Sequence, residues 1–289
     1  MGQRWLDELP GVVGALAERW DLRLGAPYAG GTAAFVVAAV DGDGRDVVLK
    51  VAMVLGDDDA ELHRRSVLTH DLAGGRGCAA LLAHDDDRSA LLLERLGPNL
   101  DALGMPVAEI LDAVATALHD FWRPAVPGVD LPTGADQATW LARFIETTWE
   151  SLARPCERAV IERALELCER RAAELDPATA VLVHGDAHGW NTLAAGDGAF
   201  KLVDPEGLWS EREHDLGILS REYNLPLLDG DTAWLVRARA ELLAAAGDAD
   251  PQRTWEWGFI ERVSTGLSSM QSFDGDGGQA FLEVARRCL

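Results

Sequence analysis

The stretch "VLVHGDAHGWNTL", residues 181–193, decides how this chain is read. A short apolar run, the mark of a buried strand, opens onto two of the chain's seven histidines, an aspartate, a tryptophan and an asparagine. One reading takes His184, Asp186 and His188, which alternate along an extended chain, as ligands facing one divalent metal, as in a metal-dependent hydrolase. A hydrolytic zinc site needs further N or S donors, and the remaining histidines, at 63, 70, 84, 119 and 214, form no second cluster.

The other reading starts from Asp186 and Asn191, with four residues between them, and from "LVDPEG" at 202–207. Phosphoryl transfer from ATP asks for a carboxylate that accepts the proton of the attacking hydroxyl, or aims it. It also asks for an amide oxygen and a second carboxylate that hold Mg2+ against the phosphates. Asp186, Asn191 and Asp204 supply that set. The stretch "NTLAAGDGAFKLVD" reads as a hairpin turning at "GDG", 196–198, which lets Asp204, 18 positions beyond Asp186, return toward it. A cation for the α- and β-phosphates is needed as well. Lys50, near the end of the strand "DVVLKVA", suits that task in a chain with 24 arginines and only one other lysine, Lys201.

Around these residues the pattern divides in two. Short Val-rich runs from 22 to 53, cut by "AGGT" and "DGDGRD", predict three strands joined by two hairpin turns. A helix follows from Asp57 to the glycine pair at 74–75, then a hairpin of 79–84 and 89–96 around "DDDR". Beyond "GPN", 97–99, helical spacing dominates at 107–121, 136–153 and 157–175, is interrupted by the strand 180–184, and resumes from about 210. The expected fold is α+β: a small antiparallel lobe of five strands and one helix, 1–96, and a larger, mainly helical lobe, 97–289.

Forty-eight acidic against 26 basic side chains give a net charge of -22, which repels nucleic acid and anionic membrane surfaces and attracts cations. The longest apolar run, "AAFVVAAV" at 33–40, is far too short to span a bilayer, and Leu6 occupies the position where a myristoylation signal wants Ser or Thr. A cytoplasmic protein is expected, with Cys78, Cys156, Cys168 and Cys288 reduced.

"HGDAHGWN" and "VDPEG" resemble the two signatures of the aminoglycoside phosphotransferase family, His-Gly-Asp-x-His-x-x-Asn followed by Asp-x-x-Gly. The likeness extends to Lys50, to "LLLERLGP" at 91–98 and to "EHDLG" at 213–217. "GGRG" at 74–77 with "ALLLERL" at 90–96 is similar to the branch of streptomycin 6-phosphotransferases and hydroxyurea phosphotransferases. The resemblance implies a bilobal protein-kinase-like fold, ATP as donor with GTP left open, Mg2+, and a small hydroxylated, cationic acceptor, in a monomer or homodimer. It makes Asp186 the base or orienter and Asn191 and Asp204 the magnesium ligands. His184 and His188 become scaffolding that fixes the loop. Asp215 is either the buried brace of that loop or an exposed helix cap. Lys50 is implied to pair with a helix glutamate, Glu61, although counting back from "GGRG" points near Ser66. Main-chain groups around Glu94 to Leu96 would hold the base, and Thr32 with its neighbouring glycines would cover the phosphates.

Too few residues separate Asp204 from the next helix for a protein kinase's activation segment, which favours a small acceptor. Trp190, Trp209, Trp255 and Trp257 could stack on a sugar or fill the core. Glu222, Glu256, Glu261 and Asp274 could meet a cationic acceptor. An aminoglycoside-like antibiotic is the leading acceptor, an amino sugar or related metabolite the alternative, and a non-catalytic kinase-shaped binding protein a third reading.

Overall fold

The computed structural model describes residues 2–29, 33–196, 198–272 and 276–289, and Thr32 and Asp274 therefore lie outside the described residues. The chain divides into two compact units, Met1–Pro98 with Leu193–Glu206, and Asn99–Thr192 with Gly207–Leu289.

The first unit opens with helix α1 (Gly2–Arg19), in addition to the one helix expected of this lobe. Pro10 sits inside α1, and Gly11 and Gly14 lower its intrinsic propensity, so residue preferences argue against a helix that packing nevertheless stabilises. Trp5, Leu9, Val12, Val13 and Leu16 recur every three or four residues and join Val37, Leu49, Val51 and Leu92 in one core. The strands β1 (Arg23–Pro27), β2 (Ala34–Val40) and β3 (Asp46–Ala52) form an antiparallel meander, with Val36 opposite Lys50. Along β3, Val47, Leu49 and Val51 are buried while Val48 and Lys50 take the other face, as the two-residue period requires. Helix α2 (Asp57–Ala73) ends at Gly74, whose φ of 59° is the left-handed stop predicted for the glycine pair. Strands β4 (Leu81–Asp85) and β5 (Ala90–Glu94) complete a sheet of order β1-β2-β3-β5-β4.

In the second unit α3 (Val107–Phe121), α4 (Gly134–Ser151) and α5 (Arg158–Glu174) precede strand β6 (Val181–Val183). Helix α4 starts two residues before its apolar pattern because Thr133 and Asp136 form a reciprocal capping box. The hairpin β7 (Thr192–Ala194) and β8 (Phe200–Leu202) follows, and its residues from Leu193 on belong to the first unit. Main-chain bonds explain that membership: Leu202 N–H donates to Gly77 O, Ala79 N–H to Leu202 O, and Gly97 N–H to Ala194 O. Strand β9 (Leu208–Ser210) then pairs antiparallel with β6, and α6 (Arg212–Arg221), α7 (Thr232–Gly247), α8 (Pro251–Ser272) and α9 (Asp276–Arg286) finish the chain.

Helix α8 is buried on every side, with Trp257, Phe259, Ile260 and Val263 packed against Ile145 of α4 and Val160 and Leu167 of α5. Helix α6 approaches it through Gly217 and Gly258. An added methyl at Gly217 would lie 2.4 Å from Trp257 Cβ and 2.7 Å from the Gly258 nitrogen. Gly217→Ala is therefore expected to destabilise the protein by about 1–3 kcal/mol, read as a lower denaturant midpoint. Gly14→Ala in α1, where nothing lies within 4 Å of the new methyl, should be neutral or stabilising. Equal losses at both positions would contradict the packing argument.

Candidate active site

Strand β6 delivers the loop His184–Asn191, and a buried carboxylate on α6 holds its start. Asp215, fully buried, accepts the His184 N–H at 2.9 Å, the Gly185 N–H at 2.9 Å and the Trp122 indole N–H at 2.9 Å. It is thus the brace of the loop and not an exposed cap. Gly185 turns the chain at φ 88°. The next residue, Asp186, donates its backbone N–H to His184 Nδ1 at 3.2 Å, and the His184 ring packs edge-on against Phe121.

Three side chains hold the Asp186 carboxylate. Asn191 Nδ2 donates at 3.0 Å both to Asp186 Oδ2 and to the Asp186 carbonyl oxygen. His188 Nε2 lies 3.3 Å from Oδ2, and Arg221 Nη2 donates to Oδ1 at 3.0 Å. Burial by itself would raise this carboxyl, but the His188 hydrogen bond and the Arg221 charge prevail and hold it well below the usual carboxylate range. Burial likewise opposes the His188 cation, and its bond to Asp186 raises its pKa in spite of that. Because both acceptors facing Asn191 are oxygens, the amide must present its nitrogen to them, which turns its own oxygen away from Asp186.

Neither histidine is arranged as a metal ligand. His184 accepts from the loop backbone, His188 faces the carboxylate, and among the described residues no set of three or more His, Cys, Asp or Glu side chains gathers around a common point. Both rings thus contact the loop itself, His184 at the Asp186 backbone and His188 at the Asp186 carboxylate.

In the first unit, Lys50 Nζ donates to Asp204 Oδ1 at 2.7 Å. Asp204 has φ 60°, a left-handed conformation rare outside glycine that is kept where the surrounding chain enforces it. Val36, Val48, Leu93, Leu96 and Leu193 line an open pocket that ends at Lys50 and Asp204. The mix of apolar walls with a few polar groups suits a flat heterocycle joined to an anion.

Glu61 does not partner Lys50. It pairs with Arg64 one turn along α2, an arrangement that exposed residues three apart on a helix readily adopt. Glu94 is pinned by its side chain, which accepts from Lys201 and from the Ala80 N–H, while its own N–H donates to Ala80 O. Its N–H is thus committed to a partner within the chain. Lys201 acquires a role the sequence did not disclose.

Of the acceptor candidates, Trp190 is 67% exposed on the turn between Asp186 and Asn191, whereas Trp209, Trp255 and Trp257 are core. Glu256 is buried and tied to Arg170, Arg171 and Gln252, so it is a structural ion pair and not an acceptor contact. Glu261 is also buried, bonded to Arg221, and Glu222 accepts from the same arginine while remaining part-exposed. Reasoning from sequence missed Arg221, since nothing in "SREYN" sets it apart from the other arginines.

The profile of one protein family, described as aminoglycoside/hydroxyurea antibiotic resistance kinase, matches residues 19–275. The chain belongs to this family. It is 29% identical over 263 residues to the streptomycin 6-kinase of Streptomyces griseus, covering 89% of its own length and 81% of the relative. It is equally 29% identical over 269 residues to the hydroxyurea phosphotransferase of Kitasatospora aureofaciens, covering 89% and 72%. In fold it is similar to an aminoglycoside phosphotransferase solved in ternary complex with ADP and hygromycin B, with a TM-score of 0.60, 16% identity and 95% of each chain covered. The kinase thus has the bilobal α+β protein-kinase-like fold and is an enzyme, a phosphotransferase acting on small-molecule hydroxyl groups.

Proposed function

We propose that this kinase moves the γ-phosphoryl group of Mg-ATP to a hydroxyl of a cationic, streptomycin-like aminoglycoside in the cytoplasm, where ATP is available. The observation that carries the reading is the hold on Asp186. A carboxylate bonded by Asn191, His188 and Arg221 is ionised throughout the working pH range and is a weak base. It is suited to receive a hydrogen bond from the acceptor hydroxyl and aim its oxygen. Phosphoryl transfer through a loose transition state needs little more, because proton transfer lags behind bond breaking to the leaving group.

On this reading the magnesium ligands are Asn191 of the second unit, whose amide oxygen is turned off Asp186, and Asp204 of the first, whose carboxylate is 47% exposed; both are the oxygen donors this ion takes, with phosphates and water as its other ligands. When bound, the ion would neutralise phosphate charge. Lys50, which now rests on Asp204, would shift its ammonium to the phosphates, and the apolar pocket beside it would take the base, with Glu94 and Leu96 supplying main-chain contacts. A net charge of -22, the exposed Trp190 ring and Glu222 support an acceptor with guanidinium or ammonium groups.

A ligand that binds only the folded state stabilises it, by about 2.7 kcal/mol at a hundred times its Kd. Mg-ATP at millimolar concentration is expected to raise the melting temperature, ATP with chelator much less, and Lys50→Ala to lose most of the shift. No shift in the wild type would count directly against nucleotide binding.

A further inference from the structure

On the kinase reading of this site, we propose that Glu261 is a positioning residue for Asp186, acting through Arg221. Arg221 is 8% exposed, and its guanidinium is divided among three carboxylates. Nη2 reaches Asp186 Oδ1 at 3.0 Å, Nη1 reaches Glu261 Oε2 at 2.8 Å, and Nε reaches Glu222 Oε1 at 3.1 Å. An arginine beside a single carboxylate prefers two parallel bonds, one to each oxygen. Such a fork would close over Asp186 and compete with the acceptor hydroxyl for its lone pairs. Here Arg221 gives Asp186 a single N–H, on Oδ1, because Glu261 and Glu222 hold the rest of the fork.

Glu261 is itself anchored. It lies on the buried helix α8 with Oε1 3.5 Å from His214 Nε2, and the His214 ring is packed edge-on to Trp257 at 4.4 Å. The glycine contact of α6 with α8 fixes how far Arg221 stands from it. The end of α6 is fixed as well. Arg262 donates to Ser220 O and to Asn224 Oδ1, while Tyr223, at φ 53°, donates its hydroxyl to Asp101 at 2.8 Å. With its carbonyl held by the Asn224 amide, Arg221 shares its fork among three carboxylates, and its shortest contact, at 2.8 Å, is with Glu261.

The test compares two glutamates of one helix. Glu256 and Glu261 are both buried on α8 and both paired with arginine, but Glu256 serves Arg170 and Arg171 and has no link to Asp186. Glu261→Gln is expected to lower kcat about tenfold or more with the KM for ATP unchanged, since it misdirects the group that aims the acceptor. Glu256→Gln is expected to lower the melting temperature comparably and leave kcat within about twofold. In an Arg221→Gln background, Glu261→Gln should cause no further loss of kcat, because the route through the arginine is gone. Glu261→Asp, which keeps the charge and shortens the reach, is the variant to use should the glutamine not fold, and the same split is expected.

An unchanged kcat in Glu261→Gln or Glu261→Asp overturns the proposal. So does an equal loss with and without Arg221, which would mark Glu261 as merely structural. Wild-type protein that transfers no phosphate to any acceptor is a separate result: it overturns the kinase reading and the positioning role with it.

Discussion

Replacing Asp186 with asparagine is expected to lower kcat by about 10²- to 10⁴-fold while Mg-ATP affinity stays near that of the wild type. The carboxylate is bonded within the second unit, to Asn191, His188 and Arg221, while the pocket and Lys50 proposed to hold the nucleotide belong to the first, so its removal should spare the nucleotide. The substitution keeps the size of the side chain and removes the charge. One of its two positions then becomes an N–H that faces either Arg221 or the Asn191 amide, both donors, and can no longer receive the acceptor's hydroxyl proton. Steady-state kinetics with an independent measurement of nucleotide Kd would separate the two effects. Equal loss of turnover and of nucleotide binding would contradict the role assigned to Asp186.

The second large effect is on stability. Asp215→Asn should destabilise the second unit by about 3 kcal/mol or more, although the residue touches no proposed ligand. Three N–H groups converge on this fully buried carboxylate, two on Oδ2 and one on Oδ1. An asparagine can present its oxygen to one side only, and whichever way it turns, an N–H faces another N–H with no water to relieve it. The midpoint of denaturation should fall, and the His184 and Gly185 amides should lose protection from hydrogen exchange ahead of α8. Retained protection at those two amides would show that the loop is held by something else.

Much of this was legible from residues alone because it depends on local periods. The strand "DVVLKVA", with Lys50 near its end, coincides with β3, and the apolar spacing at 107–121 coincides with α3. The interval from Asp186 to Asn191 fits one tight turn, which lets the amide fold back on the carboxylate. What stayed hidden depends on partners distant in sequence. Helix α1 forms around a proline because its apolar stripe finds the sheet, a gain that propensity does not register. The return of residues 193–206 to the first unit rests on bonds to 77–79 and 97–98, which no pattern encodes. The partners of Glu256 and Glu261 were hidden too. Five residues apart on a helix the two glutamates point about 140° from one another, and one joins Arg171 while the other joins Arg221. Glu61 failed as the partner of Lys50 because Arg64 lies one turn away, whereas Asp204 meets Lys50 across more than half the chain.

Mass spectrometry of the acceptor tests the central claim most directly. Wild-type protein, incubated with Mg-ATP and streptomycin, hygromycin B, an amino sugar or hydroxyurea in separate reactions, should add one phosphoryl group to streptomycin in preference to the others, and Asp186→Asn should add none on the same timescale. Absence of a phosphorylated product from every acceptor, or an adduct formed equally fast by the asparagine variant, would contradict it.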